Sequence, residues 1–293
     1  MTNAAFIGLG NMGYPMAGHL AGAGLDVTVY NRTADTARRW AGEFGGRVAA
    51  TPAQAADNAT MVFVCVGNDQ DLRQVTLDEG GAVHGLGKDA VLVDHTTASA
   101  AMAETLDQAC RERGAHFIDA PVSGGQQGAQ NGQLSIMCGA HQAVFERLQP
   151  ILAHYGKSVV RMGPPGQGQL TKMANQICVA GAIQGVAEAI AFARDAGLDV
   201  EKAMQVIGAG AGSSWQLVNR HRSMIADDYD HGFAVDWMRK DLDICLAEGA
   251  RRGTSLPLTA LVNEFYKEIQ ALGGGRWDTS SLLRRLTPPR NRE

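Results

Sequence analysis

The segment Ala4-Ala-Phe-Ile-Gly-Leu-Gly-Asn-Met-Gly13 decides the fold of the first half of this chain. A short apolar run stands directly before the pattern G-x-G-x-x-G, and Tyr14 to Gly22 follow with the composition of a helix. The first glycines permit a tight turn and close approach of the backbone to a pyrophosphate, and the third lets helix and strand pack together. We predict a dinucleotide site, with a plain glycine turn as the alternative; its residues are Gly8, Gly10, Asn11, Met12 and Gly13.

The second predicted strand, Asp26 to Asn31, ends where dinucleotide-binding folds usually place an acidic residue against the adenosine ribose. This chain has Asn31, Arg32 and Thr33 there instead. A carboxylate would repel a 2′-phosphate, whereas an amide, a guanidinium and a hydroxyl can each bind one. The sequence therefore favours NADP, with NAD possible. The alternative is that Arg32 caps a surface turn or stacks on adenine.

Further α/β units follow this pair of strands. Helices are predicted from Thr36 to Phe44 and after Thr51-Pro52, where Thr suits the N-cap and Pro the first helical position. Continuous apolar runs are typical of parallel strands buried on both faces. The predicted strands lie near Val48 and at Met61–Val66, Ala90–Asp94, His116–Val122 and Leu134–Cys138.

The residues after these strands are candidates for ligand contacts, because open α/β sheets bind ligands at the carboxyl ends of their strands. Val66 and Gly67 follow one strand, and Thr96 and Thr97 follow the next. The threonine hydroxyls have the reach to bind the nicotinamide ribose. As an alternative, a Thr in this place caps the following helix.

A glycine-rich turn, Ser123-Gly124-Gly125, follows the strand that ends at Val122. Successive backbone N–H groups in such a turn form a nest for an anion such as a substrate carboxylate. The alternative is a plain loop that leads to the next strand. On local grounds the two interpretations have equal weight.

The segment Gly163-Pro-Pro-Gly-Gln-Gly-Gln-Leu-Thr-Lys-Met-Ala-Asn-Gln176 divides two textures of sequence. Strand patterns stop before it, and helical spacing runs after it. We predict one domain over residues 1–163 and a second over 164–293. The predicted helices of the second are Leu170–Gly197, Val200–Ile207, Trp215–Ile225, Asp236–Arg252, Leu258–Leu272 and one after Asp278-Thr-Ser280. Lys172 lies on the first of these helices, and on its own it is most simply a surface or snorkelling lysine.

Composition argues against nucleic acid as the main partner. The chain has 293 residues, 45% hydrophobic and 19% charged, with a formal net charge of −4. It is long enough for two domains with their own cores. No basic run exceeds Arg251-Arg252 or Arg284-Arg285, which argues against nucleic acid and favours a small-molecule partner.

Cysteine usage and the N-terminus indicate a cytoplasmic protein. The five cysteines are scattered and include no C-x-x-C pair, so we predict reduced thiols and no metal site. No Lys or Arg precedes Arg32, unlike a signal peptide. The most apolar window, Met173 to Ala193, contains Asn175, Gln176, Gln184 and Glu188, which are costly in lipid. A buried helix is expected there and not a membrane span.

Four motifs in this order resemble the β-hydroxyacid dehydrogenase family, which includes 3-hydroxyisobutyrate dehydrogenase and tartronate semialdehyde, glyoxylate and succinic semialdehyde reductases. They are F-I-G-L-G-x-M-G from Phe6, D-A-P-V-S-G-G from Asp119, G-x-G-Q-x-x-K-x-x-N-Q from Gly166 and K-D-L from Lys240. The resemblance spans nearly the whole chain. It implies an α/β Rossmann domain with a doubly wound sheet, a long connecting helix and an all-α C-terminal domain, with the active site in the cleft between them.

The resemblance also implies roles for individual residues. Lys172 would be the general acid in carbonyl reduction and the general base in the reverse oxidation. Ser123, Gly124 and Gly125 would hold the substrate carboxylate, and Asn175 would orient substrate and lysine. Lys240, with Asp241 beside it, would close over the cofactor. Trp215 and Phe233 would line the substrate pocket, although aromatic residues of helical domains are more often core.

The expected function is hydride transfer between NADP(H) and a short β-hydroxy acid or its semialdehyde, by a homodimer or homotetramer. The excess of apolar helix after Gly168 motivates the oligomer. Two alternatives remain. An imine reductase has a similar fold but lacks a lysine at the position of Lys172. A non-catalytic dinucleotide-binding module would not need Lys172, Asn175 and the Ser123 turn together.

Overall fold

The computed structural model describes residues 2–286. In this part of the chain the last β-strand ends at Gly163. The chain divides into two compact units, Met1–Lys172 and Met173–Glu293. The division falls inside one long helix, α8 (Gln167–Asp195), between Lys172 and Met173.

The first unit alternates strands and helices. Its strands are β1 Asn3–Ile7, β2 Asp26–Tyr30, β3 Arg47–Val48, β4 Met61–Val64, β5 Val91–Asp94, β6 His116–Asp119, β7 Val122–Ser123, β8 Leu134–Gly139 and β9 Gly156–Gly163. Its helices are α1 Gly13–Gly22, α2 Ala34–Phe44, α3 Pro52–Ala56, α4 Asp69–Thr76, α5 Ala100–Glu112, α6 Gly125–Gln130 and α7 Gln142–Leu152, with a 3₁₀ turn at Ala82–Gly85.

All these strands join one sheet. Six of them run parallel in the order β3-β2-β1-β4-β5-β6, and β8 then pairs antiparallel with β6 and β7 and parallel with β9. The order reverses at β1, which pairs with β2 on one side and β4 on the other. In a doubly wound sheet such a reversal opens a crevice at the carboxyl ends of the strands.

Alternation along each strand buries both faces of the sheet. In β1, Ala4 and Phe6 belong to one apolar cluster, and Ala5 and Ile7 belong to the other. Because successive side chains point to opposite faces, a continuous apolar run is what a strand between two helical layers requires. The apolar run of β4 divides between the same two clusters.

The second unit is helical within the described residues. Its elements are α9 Val200–Gly208, α10 Trp215–Ile225, α11 Val235–Arg252, α12 Pro257–Ala271 and α13 Leu283–Leu286, with a 3₁₀ turn at Thr279–Leu282. Side-chain caps fix several helix starts. Asp199 accepts from Lys202 N at 3.1 Å, Ser214 accepts from Leu217 N at 3.1 Å, and Asp278 accepts from Ser280 N at 3.0 Å.

Helix α8 is long and apolar enough to cross a membrane by length and composition. Half of its most apolar window is buried in the protein. Ile183, Ala187 and Ile190 of this helix belong to the apolar cluster of the second unit, together with Leu242 and Tyr266. This packing is typical of a core helix.

The predicted fold class is confirmed: an α/β unit with a Rossmann-type sheet precedes a long helix and a helical region. The sequence patterns missed α4, α5, α6, α7 and β9. Helix α6 has only six residues, Gly125 to Gln130, and two are glycine. Such a segment carries no apolar period, so its helical state depends on the structure around it.

Candidate active site

The loop between β1 and α1 requires glycine at two of its positions. Gly8 has φ +94°, and a Cβ there would lie 2.2 Å from the Cys65 carbonyl oxygen. A Cβ on Gly13 would lie 1.9 Å from the Gly8 carbonyl oxygen. Contacts closer than 3 Å cannot be accommodated without movement of the backbone. Gly8 and Gly13 therefore allow the end of β1, the end of β4 and the start of α1 to pack closely.

Gly10 differs from these two glycines. A Cβ built on it meets no protein atom within 4 Å, so protein packing does not explain the missing side chain. Among the residues that the structure describes, no side chain caps the N-terminus of α1, and its first turn contains no acidic residue. Free N–H groups at a helix start bind phosphate, and the bare backbone at Gly10 lets a pyrophosphate approach them. The loop fits a dinucleotide.

Asn31 and Arg32 have different positions at the end of β2. Asn31 Oδ1 accepts a hydrogen bond from Leu9 N at 2.9 Å, and its Nδ2 donates to the Thr33 carbonyl at 3.1 Å. Its amide thus connects the glycine loop to the turn after β2. The Arg32 side chain is 80% exposed and lies 3.4 Å from an Asp71 oxygen on α4. Arg32 is thus a solvent-exposed guanidinium that forms an ion pair with Asp71.

The loops after β4 and β5 are joined by Thr96. Its Oγ1 accepts from Val66 N at 3.1 Å, and its own N donates to Asp94 Oδ1 at 2.9 Å. Gly67 follows Val66 in the same loop. Helix α5 is capped by Ser99, whose Oγ accepts from Met102 N. The alternative that Thr96 or Thr97 caps the next helix is therefore wrong.

The Ser123-Gly124-Gly125 turn has backbone conformations that only glycine adopts readily. Gly124 has φ +132° and Gly125 has φ +60°, and α6 begins at Gly125 without a side-chain cap. Ser123 ends β7, paired with Ser135 of β8. Consecutive N–H groups at such a turn can bind an anion. The turn leads into the short helix α6 before the next strand, and anion binding at this turn stays a prediction.

Two buried carboxyl groups stand side by side at the ends of β5 and β6, where Asp94 and Asp119 are register partners. Burial raises the pKa of Asp94 to about 7, although a hydrogen bond from Thr96 opposes this shift. Burial likewise raises the pKa of Asp119 to about 6, against hydrogen bonds from Gly166 and Gln169 N–H groups. Within residues 2–286, Asp94 Oδ2 has no hydrogen-bond partner.

His95 is a neutral member of this buried group. Its Nδ1–H donates to the Ala120 carbonyl at 2.7 Å, and the Tyr155 hydroxyl donates to its Nε2 at 2.8 Å. Burial lowers the pKa of His95 to about 4. The ring stacks on Phe63 with centroids 6.1 Å apart. His95 therefore packs the sheet edge and carries no charge near neutral pH.

The start of α8 is fixed from the sheet. Asp119 Oδ1 accepts from Gly166 N at 2.7 Å, and Asp119 Oδ2 accepts from Gln169 N at 2.8 Å. Lys172 lies one turn further along the helix and is 7% exposed. The interpretation of Lys172 as a surface lysine is therefore wrong. Burying an ammonium group costs free energy unless the group is paired, hydrogen-bonded or engaged in chemistry.

In the second unit, hydrogen bonds connect Asn175 through Gln176 to Asp241, and Lys240 forms an ion pair with the same carboxylate. Asn175 Nδ2 donates to Gln176 Oε1 at 2.8 Å, and Gln176 Nε2 donates to Asp241 Oδ2 at 2.6 Å. Lys240 Nζ lies 2.9 Å from Asp241 Oδ1. Asp241 is buried. Its carboxylate is thus the internal partner of Lys240 and Gln176.

The two predicted pocket aromatics differ from each other. Trp215 starts α10 and is exposed, and the Arg220 guanidinium lies 5.1 Å from its ring centroid. Phe233 is half-buried against the apolar cluster of the second unit. Its N–H donates to Asp278 at 2.8 Å. The core alternative thus describes Phe233 better than Trp215.

Sequence reasoning gave no role to Asp119 or Gln169. Both occur in the quoted motifs, but each acts on residues far away along the chain. Gln169 Oε1 accepts from Ala98 N at 3.1 Å, and its Nε2 donates to the Thr96 carbonyl at 2.7 Å. The only signals in the sequence were an Asp before Ala-Pro and a Gln three residues before Lys172. Neither signal indicates which groups these side chains bind.

Comparison with known proteins covers both units. Residues 3–163 match the model described as the NAD binding domain of 6-phosphogluconate dehydrogenase. Residues 166–286 match the model described as NAD-binding of NADP-dependent 3-hydroxyisobutyrate dehydrogenase. Together these matches span nearly all of the chain.

Individual relatives are similar over their full length. An uncharacterized oxidoreductase of Shewanella frigidimarina is 54% identical, over 99% of this chain and 100% of that protein. The 2-hydroxy-3-oxopropionate reductase of Escherichia coli is 36% identical, over 96% of each chain. A solved structure of Mycobacterium tuberculosis 3-hydroxyisobutyrate dehydrogenase with L-serine has a TM-score of 0.89 at 27% identity, and the match covers 98% of this chain and 99% of that one.

Proposed function

The chain belongs to the β-hydroxyacid dehydrogenase family, and on that premise we propose that it is an NADP-preferring enzyme that interconverts a short β-hydroxy acid and its semialdehyde. The family supports an NAD(P)-dependent dehydrogenase or reductase. The preference for NADP, the substrate class and the role of Lys172 are our proposals. The E. coli relative is named for 2-hydroxy-3-oxopropionate, which makes this semialdehyde the first substrate to try.

The observation that carries the proposal is the burial of Lys172 on a helix whose first turn is hydrogen-bonded to the sheet edge. A buried ammonium group costs free energy unless it is paired or used. The same edge carries the glycine loop after β1 and the loops after β4 and β5. In this proposal, the proton donor and the dinucleotide site belong to the same unit.

In this proposal, different residues of the chain perform different parts of the reaction. The dinucleotide, when bound along Gly8 to Gly13, supplies the hydride. The Lys172 ammonium donates a proton to the carbonyl oxygen of the semialdehyde, which becomes the hydroxyl of the product, and in oxidation the neutral amine takes that proton back. The N–H groups at Gly124 and Gly125 bind the substrate carboxylate. Asn175, one helical turn from Lys172, orients the substrate.

The test is turnover of 2-hydroxy-3-oxopropionate and succinic semialdehyde with NADPH by the wild type and by Lys172→Ala. We expect Lys172→Ala to lower kcat by about 10²- to 10⁴-fold, the usual contribution of a general acid. Its dissociation constant for NADPH stays near the wild-type value. Lys157→Ala, which removes an exposed lysine of the same unit, keeps wild-type turnover.

Two outcomes contradict the proposal. Equal kcat for Lys172→Ala and the wild type removes the lysine from the chemistry. Tight NADPH binding by a wild type that turns over no short carboxylate-bearing aldehyde favours a non-catalytic dinucleotide-binding module.

We further propose that the protein acts as a homo-oligomer in the cytoplasm. Large apolar side chains remain exposed on the helical unit. They include Phe192, Val206, Val218, Leu258 and Leu261. Exposed apolar side chains that lie together mark protein contacts, and this is the basis of the proposal.

A further inference from the structure

We propose that Asp119 is a positioning residue for catalysis: from the end of β6 it caps the N-terminus of α8 and thereby sets the position of Lys172. This inference rests on the proposed function, because it assigns Lys172 to proton transfer. It adds a residue that touches neither the cofactor nor the substrate in that proposal and acts through the helix.

The first support is the geometry of the cap. Gly166 N and Gln169 N are three residues apart at the start of α8, and one carboxylate binds both, at 2.7 and 2.8 Å. An ordinary N-cap residue immediately precedes its helix. Here the acceptor lies 47 and 50 residues before its two donors. The two hydrogen bonds therefore cap the N-terminus of α8 and also connect this helix to the sheet.

The second support is the space kept for this carboxylate. A Cβ on Gly139 would lie 2.2 Å from Asp119 Oδ1. A Cβ on Gly168 would lie 2.7 Å from Asp119 Oδ2 and 2.3 Å from the Met137 carbonyl oxygen. The two glycines let β8 and the first turn of α8 close around the carboxylate. A side chain at either glycine would overlap the carboxylate.

The third support is a second connection through Gln169. This side chain is buried and binds both the Ala98 N–H and the Thr96 carbonyl, in the segment after β5. Thr96 also accepts from Val66 N in the loop after β4. Because Gln169 and Lys172 are three residues apart, they share one face of α8. The lysine is thus one turn away from a helix start that is bonded to the segment after β5, which Thr96 in turn connects to the loop after β4.

The chemistry of the cap requires a carboxylate. Its two oxygens accept one N–H each, and its charge is favourable at a helix N-terminus. An asparagine of equal size has one acceptor oxygen and one NH₂ group. One of the two backbone N–H groups would then face a donor, and the first turn of α8 would shift or lose a hydrogen bond.

The experiment is a double-mutant cycle on full-length protein with Asp119→Asn, Lys172→Ala and both together. We expect Asp119→Asn to lower kcat about 10- to 100-fold, as a small misplacement of a catalytic group does. The dissociation constant for NADPH changes less than about twofold, because the two N–H groups that Asp119 binds belong to Gly166 and Gln169 and not to the Gly8–Gly13 loop. In the Lys172→Ala background, Asp119→Asn changes kcat less than about twofold, since coupled residues are not additive.

Two further variants make the cycle decisive. Asp107→Asn removes a buried carboxyl of α5, which pairs with Arg111 at 3.1 Å, and keeps wild-type kcat. Gln169→Met keeps the volume of the side chain and removes its two bonds. If Asp119→Asn does not fold, Gln169→Met replaces it in the cycle with the same expected pattern. Methylammonium added to the Lys172→Ala proteins supplies a small amine and raises their rates into the measurable range.

The outcomes separate the two proposals. Wild-type kcat in both Asp119→Asn and Gln169→Met, with Lys172→Ala impaired, overturns the positioning role alone. Equal losses from Asp119→Asn with and without Lys172 also overturn it, because the effect then does not pass through the lysine. Wild-type kcat in Lys172→Ala overturns the proposed function instead.

Discussion

At the scale of single residues, cofactor preference depends on the charges around Arg32. Its exposed guanidinium is 3.4 Å from Asp71, whose own N–H is bound by Asn68 Oδ1 at 2.8 Å. A 2′-phosphate at Arg32 would have to compete with this carboxylate. An exposed ion pair contributes at most about 1 kcal/mol, so a doubly charged phosphate displaces it readily. We nonetheless expect Asp71 to oppose the binding of a 2′-phosphate at Arg32.

We therefore expect opposite effects from substitutions at these two positions. Arg32→Asp weakens NADPH binding by at least about tenfold and leaves NADH binding nearly unchanged, since only NADPH carries the phosphate. Asp71→Asn strengthens NADPH binding by about two- to fivefold, within the energy of an exposed pair. Fluorescence titration with both cofactors measures these changes. Arg38→Ala, which removes an exposed arginine of α2, serves as the control.

Tighter binding of NADH than NADPH by the wild type would contradict the NADP assignment. Arg32 would then be a surface or adenine-stacking residue. Substrates would have to be sought by oxidation of hydroxy acids with NAD.

At the scale of elements, the loop between β1 and α1 separates packing from ligand binding within one motif. Gly8 is needed by the protein itself, because its φ is +94° and a Cβ would overlap the Cys65 carbonyl. Gly10 has open space beside it. Protein packing therefore explains Gly8, whereas for Gly10 we propose that the open space is occupied by the ligand.

The two alanine variants should differ accordingly. Gly8→Ala lowers the midpoint of thermal unfolding and weakens NADPH binding, because a positive φ and a backbone overlap together destabilise the loop by about 1–3 kcal/mol or more. Gly10→Ala keeps the wild-type midpoint and weakens NADPH binding about tenfold or more, since its Cβ occupies the path of the pyrophosphate. Calorimetric unfolding and NADPH titration distinguish them. Wild-type affinity in Gly10→Ala would show that the pyrophosphate does not lie on this loop.

At the scale of the whole molecule, the helical unit exposes several large apolar side chains to solvent. Val206 of α9 is 75% exposed and Phe192 of α8 is 73% exposed. Burying such surface stabilises an association by about 25 cal/mol per Å², and this is its main driving force. A second copy of the chain is the partner we propose.

We expect the wild type to elute with the mass of a dimer or tetramer. Val206→Glu adds a charge that is costly to bury and shifts the mass toward the monomer. Val160→Glu is the matched control, because Val160 is an exposed valine of β9 in the other unit. Light scattering coupled to gel filtration measures both. A monomeric wild type would refute the oligomer directly.

Local patterns in the sequence were sufficient for much of this molecule. The apolar run before Gly8 predicted β1, and Thr51-Pro52 predicted the start of α3, where Thr51 Oγ1 accepts from Gln54 N at 3.1 Å. Asp278, just before the last predicted helix, accepts from Ser280 N at 3.0 Å at the start of a 3₁₀ turn. These features depend on residues within a few positions of one another, so their physics is contained in a short segment.

What the sequence by itself determined is the alternation of strands and helices, the glycine loop, the family and the lysine on the long helix. Only the tertiary structure decided that Asn31 binds Leu9, that Gln169 binds the segment after β5, and that Asp119 caps α8. Each of these side chains bonds to backbone groups brought near by the sheet. Partners 22 to 73 residues apart leave no periodic trace in a single sequence, because their contact energy depends on where the folded strands end.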